Sequence, residues 1–101
     1  MYNSIGMPEF DQLLKKEALK IIDVREADEF SAGHIKGAKN LPLSNLQNTF
    51  NELSKDQAYY IICQSGGRSS MACQFLAGQG FQVTNVMGGM SAWRGSVEHG
   101  M

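Results

Sequence analysis

Apolar residues recur along the chain in two alternating rhythms. Leu19-Lys20-Ile21-Ile22-Asp23-Val24 and Ala58-Tyr59-Tyr60-Ile61-Ile62 are short runs of branched and aromatic residues bounded by polar ones. Such runs predict buried strands, with Tyr59 and Tyr60 facing opposite sides. Phe81 to Val86 alternates as a further strand, and Ser4-Ile5-Gly6 and Ala38 to Leu41 are briefer ones, the latter stopped by Pro42. Helical spacing fills the intervals. Pro8 suits the first position of a helix through Lys16, in which Phe10, Leu13 and Leu14 share a face. Glu26 to Ala32 reads as a short helical turn closed by Gly33. Ser44 is expected to cap a helix through about Leu53, with Leu46, Phe50 and Leu53 on one stripe. A helix from Ser69 to near Gly80 is expected to bury Met71, Ala72, Phe75 and Leu76. Gly88-Gly89 breaks the last strand before a final turn from Met90 to Arg94. This order predicts a three-layer α/β fold, with a mainly parallel sheet of about five strands flanked by helices. No repeat or linker interrupts it, so one domain over residues 1–101 is expected.

Composition narrows the function classes. Hydrophobic residues are 43% and charged residues 19% of 101, which excludes a disordered tail. Nine Lys+Arg against ten Asp+Glu leave a net charge of -1, so no global field recruits nucleic acid or an anionic membrane. No apolar run approaches the ~20 residues of a membrane-spanning helix. The start, Met1-Tyr2-Asn3-Ser4-Ile5-Gly6, has no signal-peptide pattern, and a cytoplasmic protein is expected. The six methionines are scattered and read as core filler.

Two cysteines cannot make a disulfide framework, and Cys63, Cys73, His34 and His99 lack zinc-site spacing. Burial or reactivity is left, and the surroundings of Cys63 favour reactivity. Ile61-Ile62-Cys63-Gln64-Ser65-Gly66-Gly67-Arg68-Ser69 places a cysteine between a buried strand and a helix. Reactive sites of open α/β sheets gather at that edge. Gly66 and Gly67 allow the backbone to curl so that N–H groups converge, and the helix start adds its positive dipole end. Comparable surroundings lower a thiol pKa from about 8.5 to roughly 3.5–7.5. Arg68 closes the loop and is expected to face a docking anion. A small buried residue ending a strand would need neither the two glycines nor the arginine.

The chain resembles the rhodanese family in its single-domain form. The loop Cys63-x4-Arg68 has the length of the rhodanese active-site loop. Asp23-Val24-Arg25-Glu26, Glu29-Phe30 and Gly33-His34-Ile35-x-Gly37-Ala38-x-Asn40-Leu41-Pro42 are similar to the family's N-terminal signature. Val86-Met87-Gly88-Gly89 with Ala92-Trp93 is similar to its C-terminal one. The resemblance implies a sulfurtransferase that carries a persulfide on Cys63, loaded from thiosulfate or from a persulfide or polysulfide. A thiol or cyanide is the implied acceptor, and a protein persulfide is an alternative partner. The donors of Gln64, Ser65, Gly66, Gly67, Arg68 and Ser69 would hold the persulfide, with no metal or organic cofactor. Gln64 and Ser65 are neutral where rhodaneses that handle thiosulfate well often add a basic residue, so a persulfide donor is favoured over thiosulfate.

Two other classes remain beside this one. A persulfide carrier or regulatory interaction module of the same fold would turn over slowly alone. Related phosphatases and arsenate reductases use a Cys-x5-Arg loop, one residue longer, which argues against them here. The other polar residues read as structural. Cys73 is a small helix-packing residue off the apolar stripe, beside Leu76. Asp23 and Arg25 tie the following loop, His34 staples another, and Trp93 plugs the core under the last turn.

Overall fold

The computed structural model describes all 101 residues. Five strands form one sheet: β1 (Asn3–Ile5), β2 (Lys20–Asp23), β3 (Lys39–Asn40), β4 (Ala58–Ile62) and β5 (Gln82–Val86). Their spatial order is β1-β5-β4-β2-β3, and every pairing is parallel. Helices α1 (Met7–Lys16), α2 (Ala27–Ser31), α3 (Leu46–Thr49) and α4 (Gly67–Gly78) lie between successive strands, and α5 (Gly89–Ala92) follows β5. The α/β class, the parallel sheet and the five strands are as the pattern predicts.

Both faces of the sheet are apolar because both are covered by helices or their connections. Ile22, Tyr59, Ile61 and Cys63 point into the larger core, with Ala72, Cys73 and Leu76 of α4. Ile21, Ile62 and Val86 point the other way, against Met7 and Phe10 of α1. Tyr59 joins the first cluster and Tyr60 packs against the second, so the two do face opposite sides. From β2 the chain steps outward to β3, and from β4 it steps the opposite way to β5. β2 and β4 are neighbours, so a crevice opens between their carboxyl ends.

Three local expectations fail for identifiable reasons. Ser44 does not cap a helix: it lies in a 3-10 turn (Leu43–Asn45), and its hydroxyl donates to Glu26 Oε1 at 2.9 Å. The segment to Leu53 breaks into that turn, the single turn of α3 and a second 3-10 turn at Phe50–Glu52. Its polar residues compete with the backbone for hydrogen bonds: Asn48 Nδ2 donates to Asn45 Oδ1 and Thr49 Oγ1 to the Asn45 carbonyl. Helix α4 starts two residues earlier than expected, at Gly67, and buries Ser69, Ala72, Cys73 and Leu76. Met71 is 61% exposed, because the buried stripe runs through positions 69, 72, 73 and 76 at helical spacing and Met71 lies off it. The methionines are not core filler in general: only Met7 is buried, while Met1, Met71, Met87 and Met101 are exposed.

Candidate active site

Cys63 follows the last residue of β4, the central strand, and its side chain is 0% exposed. The backbone then turns sharply. Gly66 adopts φ +110°, a left-handed conformation costly for any residue with a Cβ, and becomes the N-cap of α4. Glycine has no side chain with which to cap. The sulfur takes that place: Gly66 N–H donates to Cys63 Sγ at 3.0 Å and Ser69 N–H at 3.2 Å. Ser69 is the third helical residue, where a capping side chain ordinarily accepts. A thiolate at this point also meets the positive end of the helix.

Ser69 supplies a second contact, its Oγ lying 3.3 Å from Sγ. With the thiol protonated, S–H donates to Oγ, and the Ser69 hydroxyl donates to Asn85 Oδ1 or to the Gly66 carbonyl at 3.1 Å. With the thiol ionised, the hydroxyl proton turns to the sulfur. Burial pushes the Cys63 pKa up. The Ser69 hydroxyl and the N–H groups of Ser69, Gly66 and Ser65 outweigh it and hold the thiol below its ordinary range.

A second glycine turn pins the loop from the other side. Met90 N–H donates to the Cys63 carbonyl at 2.8 Å and Ser91 N–H to the Gln64 carbonyl at 2.9 Å. The approach depends on Gly89, at φ +55°: a Cβ there would collide with the Cys63 carbonyl oxygen and lie 2.7 Å from that of Gln64. Gly88-Gly89 is therefore more than a strand breaker.

Arg68 does not stand free at the mouth. Its Nη1 donates to Glu29 Oε1 at 2.6 Å and its Nη2 to Glu29 Oε2 at 2.9 Å. This bidentate pair joins α4 to α2, and the Arg68 hydrogen bond holds the Glu29 pKa down to about 2. Arg25, 5% exposed, is spent on structure: Nε and Nη2 donate to the Asp23 carboxylate, and Nη2 donates to the Gly33 carbonyl at 2.7 Å. Its remaining contact is Nη1 to Gln64 Oε1 at 3.5 Å.

Of the loop residues singled out from sequence, Gly66 and Ser69 touch the sulfur and the Ser65 N–H assists. Gln64 and Gly67 are exposed, and Arg68 faces Glu29. Glu29, Asn85, Gly89, Met90 and Ser91 also build the site. All five lie inside or beside the quoted signatures, but only tertiary contact shows what each does. His34 is the loop staple expected: Nδ1 lies 2.8 Å from the Phe30 carbonyl, and its ring stacks on Phe30 at 3.7 Å. Cys73 is buried on the core side of α4 rather than on a flank, and burial, with a lesser push from Cys63, raises its pKa to about 12. Trp93 is only half-buried, edge-on to Phe10 at 6.3 Å.

Cavities of about 220 to 520 Å³ lie elsewhere on the surface, and none is lined by Cys63. No three His, Cys, Asp or Glu side chains converge on a metal position, and no helix is long and apolar enough to cross a membrane.

Comparison with known proteins places this geometry in context. A model of the rhodanese-like domain matches residues 7–96. "Putative sulfur carrier protein YrkF" of Bacillus subtilis is 45% identical over 83 residues; the match covers 81% of this chain but only 45% of YrkF. The chain thus spans less than half the length of that relative. Thiosulfate sulfurtransferase GlpE of Shewanella oneidensis is 32% identical over 93 residues, covering 91% of this chain and 92% of GlpE. A crystal structure of a rhodanese-like domain protein from Staphylococcus aureus superposes with a TM-score of 0.88 at 34% identity, over 98% of this chain and 99% of that one.

Proposed function

The chain belongs to the rhodanese-like domain family, and from that premise we propose that it transfers sulfane sulfur through a persulfide on Cys63. The observation that carries the reading is the set of donors converging on one buried sulfur at a helix N-terminus. The Cys63 thiolate attacks the outer sulfur of a donor. A new S–S bond forms, the donor's own S–S bond breaks, and its electron pair leaves with sulfite from thiosulfate or with a thiolate from a persulfide. The terminal sulfur of Cys63 then passes to a nucleophile: cyanide departs as thiocyanate, or a thiol becomes a persulfide, and the Cys63 thiolate returns. Two displacements on one enzyme nucleophile give ping-pong kinetics. The loop N–H groups stabilise negative charge on sulfur as an oxyanion hole does on oxygen. No step requires a general base once the thiol is ionised, and no metal or organic cofactor enters. Cys63 is the nucleophile, Gln64 to Ser69 form the persulfide-binding loop, and the whole chain acts as one domain.

A carrier role is the second reading, in which a protein partner delivers or takes the sulfur. The similarity to YrkF favours it. Treatment with thiosulfate, a polysulfide and an alkyl persulfide in parallel, followed by mass spectrometry, tests sulfur transfer itself. One added sulfur on the Cys63 peptide is expected. Cys63→Ser should fold and lose loading and turnover, while Cys73→Ser should keep most of both. Sulfur mapped to Cys73, or Cys63-dependent hydrolysis of an aryl phosphate by the unmodified chain, would overturn the reading. Loading without turnover on cyanide or a small thiol would favour the carrier.

A further inference from the structure

The mouth of the site holds two guanidiniums, and neither is free. Arg25 is consumed by Asp23 and the Gly33 carbonyl. Both terminal nitrogens of Arg68 are bound by Glu29. The Glu29 carboxylate is itself fixed by its helix: Oε1 accepts the Glu26 N–H at 3.1 Å, as one half of a capping box with Glu26. Glu26 is held in turn by the Ser44 hydroxyl. Three carboxylates (Asp23, Glu26, Glu29) therefore face two guanidiniums, and Cys63 adds one more negative charge when it ionises.

We propose that Glu29 is a specificity-determining residue, masking Arg68 so that the site disfavours dianionic thiosulfate and takes sulfur from low-charge alkyl persulfides. The inference rests on the sulfur-transfer reading and names the donor class for that site. Thiosulfate brings two negative charges toward a thiolate whose surroundings are already net negative. It could recruit Arg68 only by displacing a preoriented bidentate partner. A hydropersulfide carries at most one negative charge and needs no such displacement: Cys63 takes its outer sulfur, and the alkyl thiolate leaves. Discrimination here comes from a repulsive element built into the site. A different role for Glu29, aiming Arg68 at an incoming anion, would have the opposite consequence when the charge is removed.

The variant Glu29→Gln keeps one oxygen to accept the Glu26 N–H, and it removes both the charge and one of the two acceptors that hold Arg68. Rates of Cys63 persulfide formation should be compared for thiosulfate and for an uncharged-chain alkyl persulfide. The unmodified protein should load faster from the alkyl persulfide. Glu29→Gln should raise the ratio of kcat/KM for thiosulfate to kcat/KM for the alkyl persulfide by about tenfold. Glu29→Ala should shift the ratio of the two the same way. Sulfate, an unreactive dianion, should also protect Cys63 from iodoacetamide at lower concentration in Glu29→Gln. A wild-type preference for thiosulfate, or an unchanged or reversed ratio in the variants, overturns the proposal. If neither donor loads Cys63 in any form, the sulfur-transfer reading fails instead, and sulfate protection still judges whether Glu29 masks Arg68.

Discussion

Ser69 gives Cys63 two contacts, a backbone N–H that survives substitution by alanine and a hydroxyl that does not. Ser69→Ala should therefore raise the Cys63 pKa without restoring a fully ordinary thiol. The alkylation rate against pH should inflect at higher pH than in the unmodified protein, and an unmoved inflection would refute the role given to the hydroxyl. The other cysteine responds with the opposite sign. Its folded pKa is raised from 9.0 to about 12, so the fold favours neutral Cys73. That contribution is complete below the unfolded value and is lost as pH rises toward the folded one. The stability advantage of the unmodified protein over Cys73→Ala, read from urea melts, should be flat below pH 8. Between pH 9 and 11 it should shrink by at most about 1.4 kcal/mol per pH unit. At this scale the sequence exposes residues whose partners are near in the chain. Cys63, Gly66 and Ser69 lie within one turn, and their convergence follows from glycine placement and helix geometry. Glu29 meets Arg68 across 39 positions, and Asn85 meets Ser69 across 16. No local pattern encodes either pairing.

Elements were legible wherever one force dominated. The strands β2 and β4 stand out because burial on both faces demands apolar runs, β5 because its apolar and polar residues alternate, and α1 because Pro8 and an amphipathic face agree. Helix α4 misled because hydrophobicity ranks Met71 above Cys73, whereas fit against the sheet selects the smaller side chain. The segment around α3 misled because Ser44, Asn45 and Asn48 put their side chains to other uses than helix capping. The contact between the start of α5 and the Cys63 loop gives a prediction at this scale. Gly89→Ala sets a methyl group against two carbonyl oxygens at a positive φ. It should destabilise by about 3 kcal/mol, measured by chemical denaturation. The Met90 and Ser91 hydrogen bonds to the loop should be lost, and sulfur loading should fall more steeply than stability alone accounts for.

For the whole molecule, topology does what no single motif could. Because β2 and β4 are adjacent while their connections diverge, the residues after β2 (Arg25, Glu29) and those after β4 (Cys63, Arg68) meet at one crevice. The α4–α2 link through Arg68 and Glu29 then fastens two connections of the sheet together. Its acid dependence follows from the lowered Glu29 pKa: the stabilisation is complete above the ordinary value of 4.5 and is lost as pH falls toward about 2. The stability difference between the unmodified protein and Glu29→Gln should be constant above pH 5 and vanish across that window, as followed by thermal melts. A difference independent of pH would assign the pair no electrostatic role.

The zero exposure of Cys63 separates two properties that usually travel together in a nucleophile. Ionisation is set by the donors around the sulfur, but reactivity also requires access, and Cys63 has no exposed surface in the resting loop. Where a reagent reaches the sulfur through loop opening, the observed rate is the intrinsic rate multiplied by the fraction of time the loop stands open. Small reagents need a smaller opening than bulky ones. Their rate ratio should therefore exceed the ratio for a free thiol and collapse toward it in urea just below the unfolding transition. A sulfur enclosed in this way is shielded from chance oxidants that a bare surface thiol would meet.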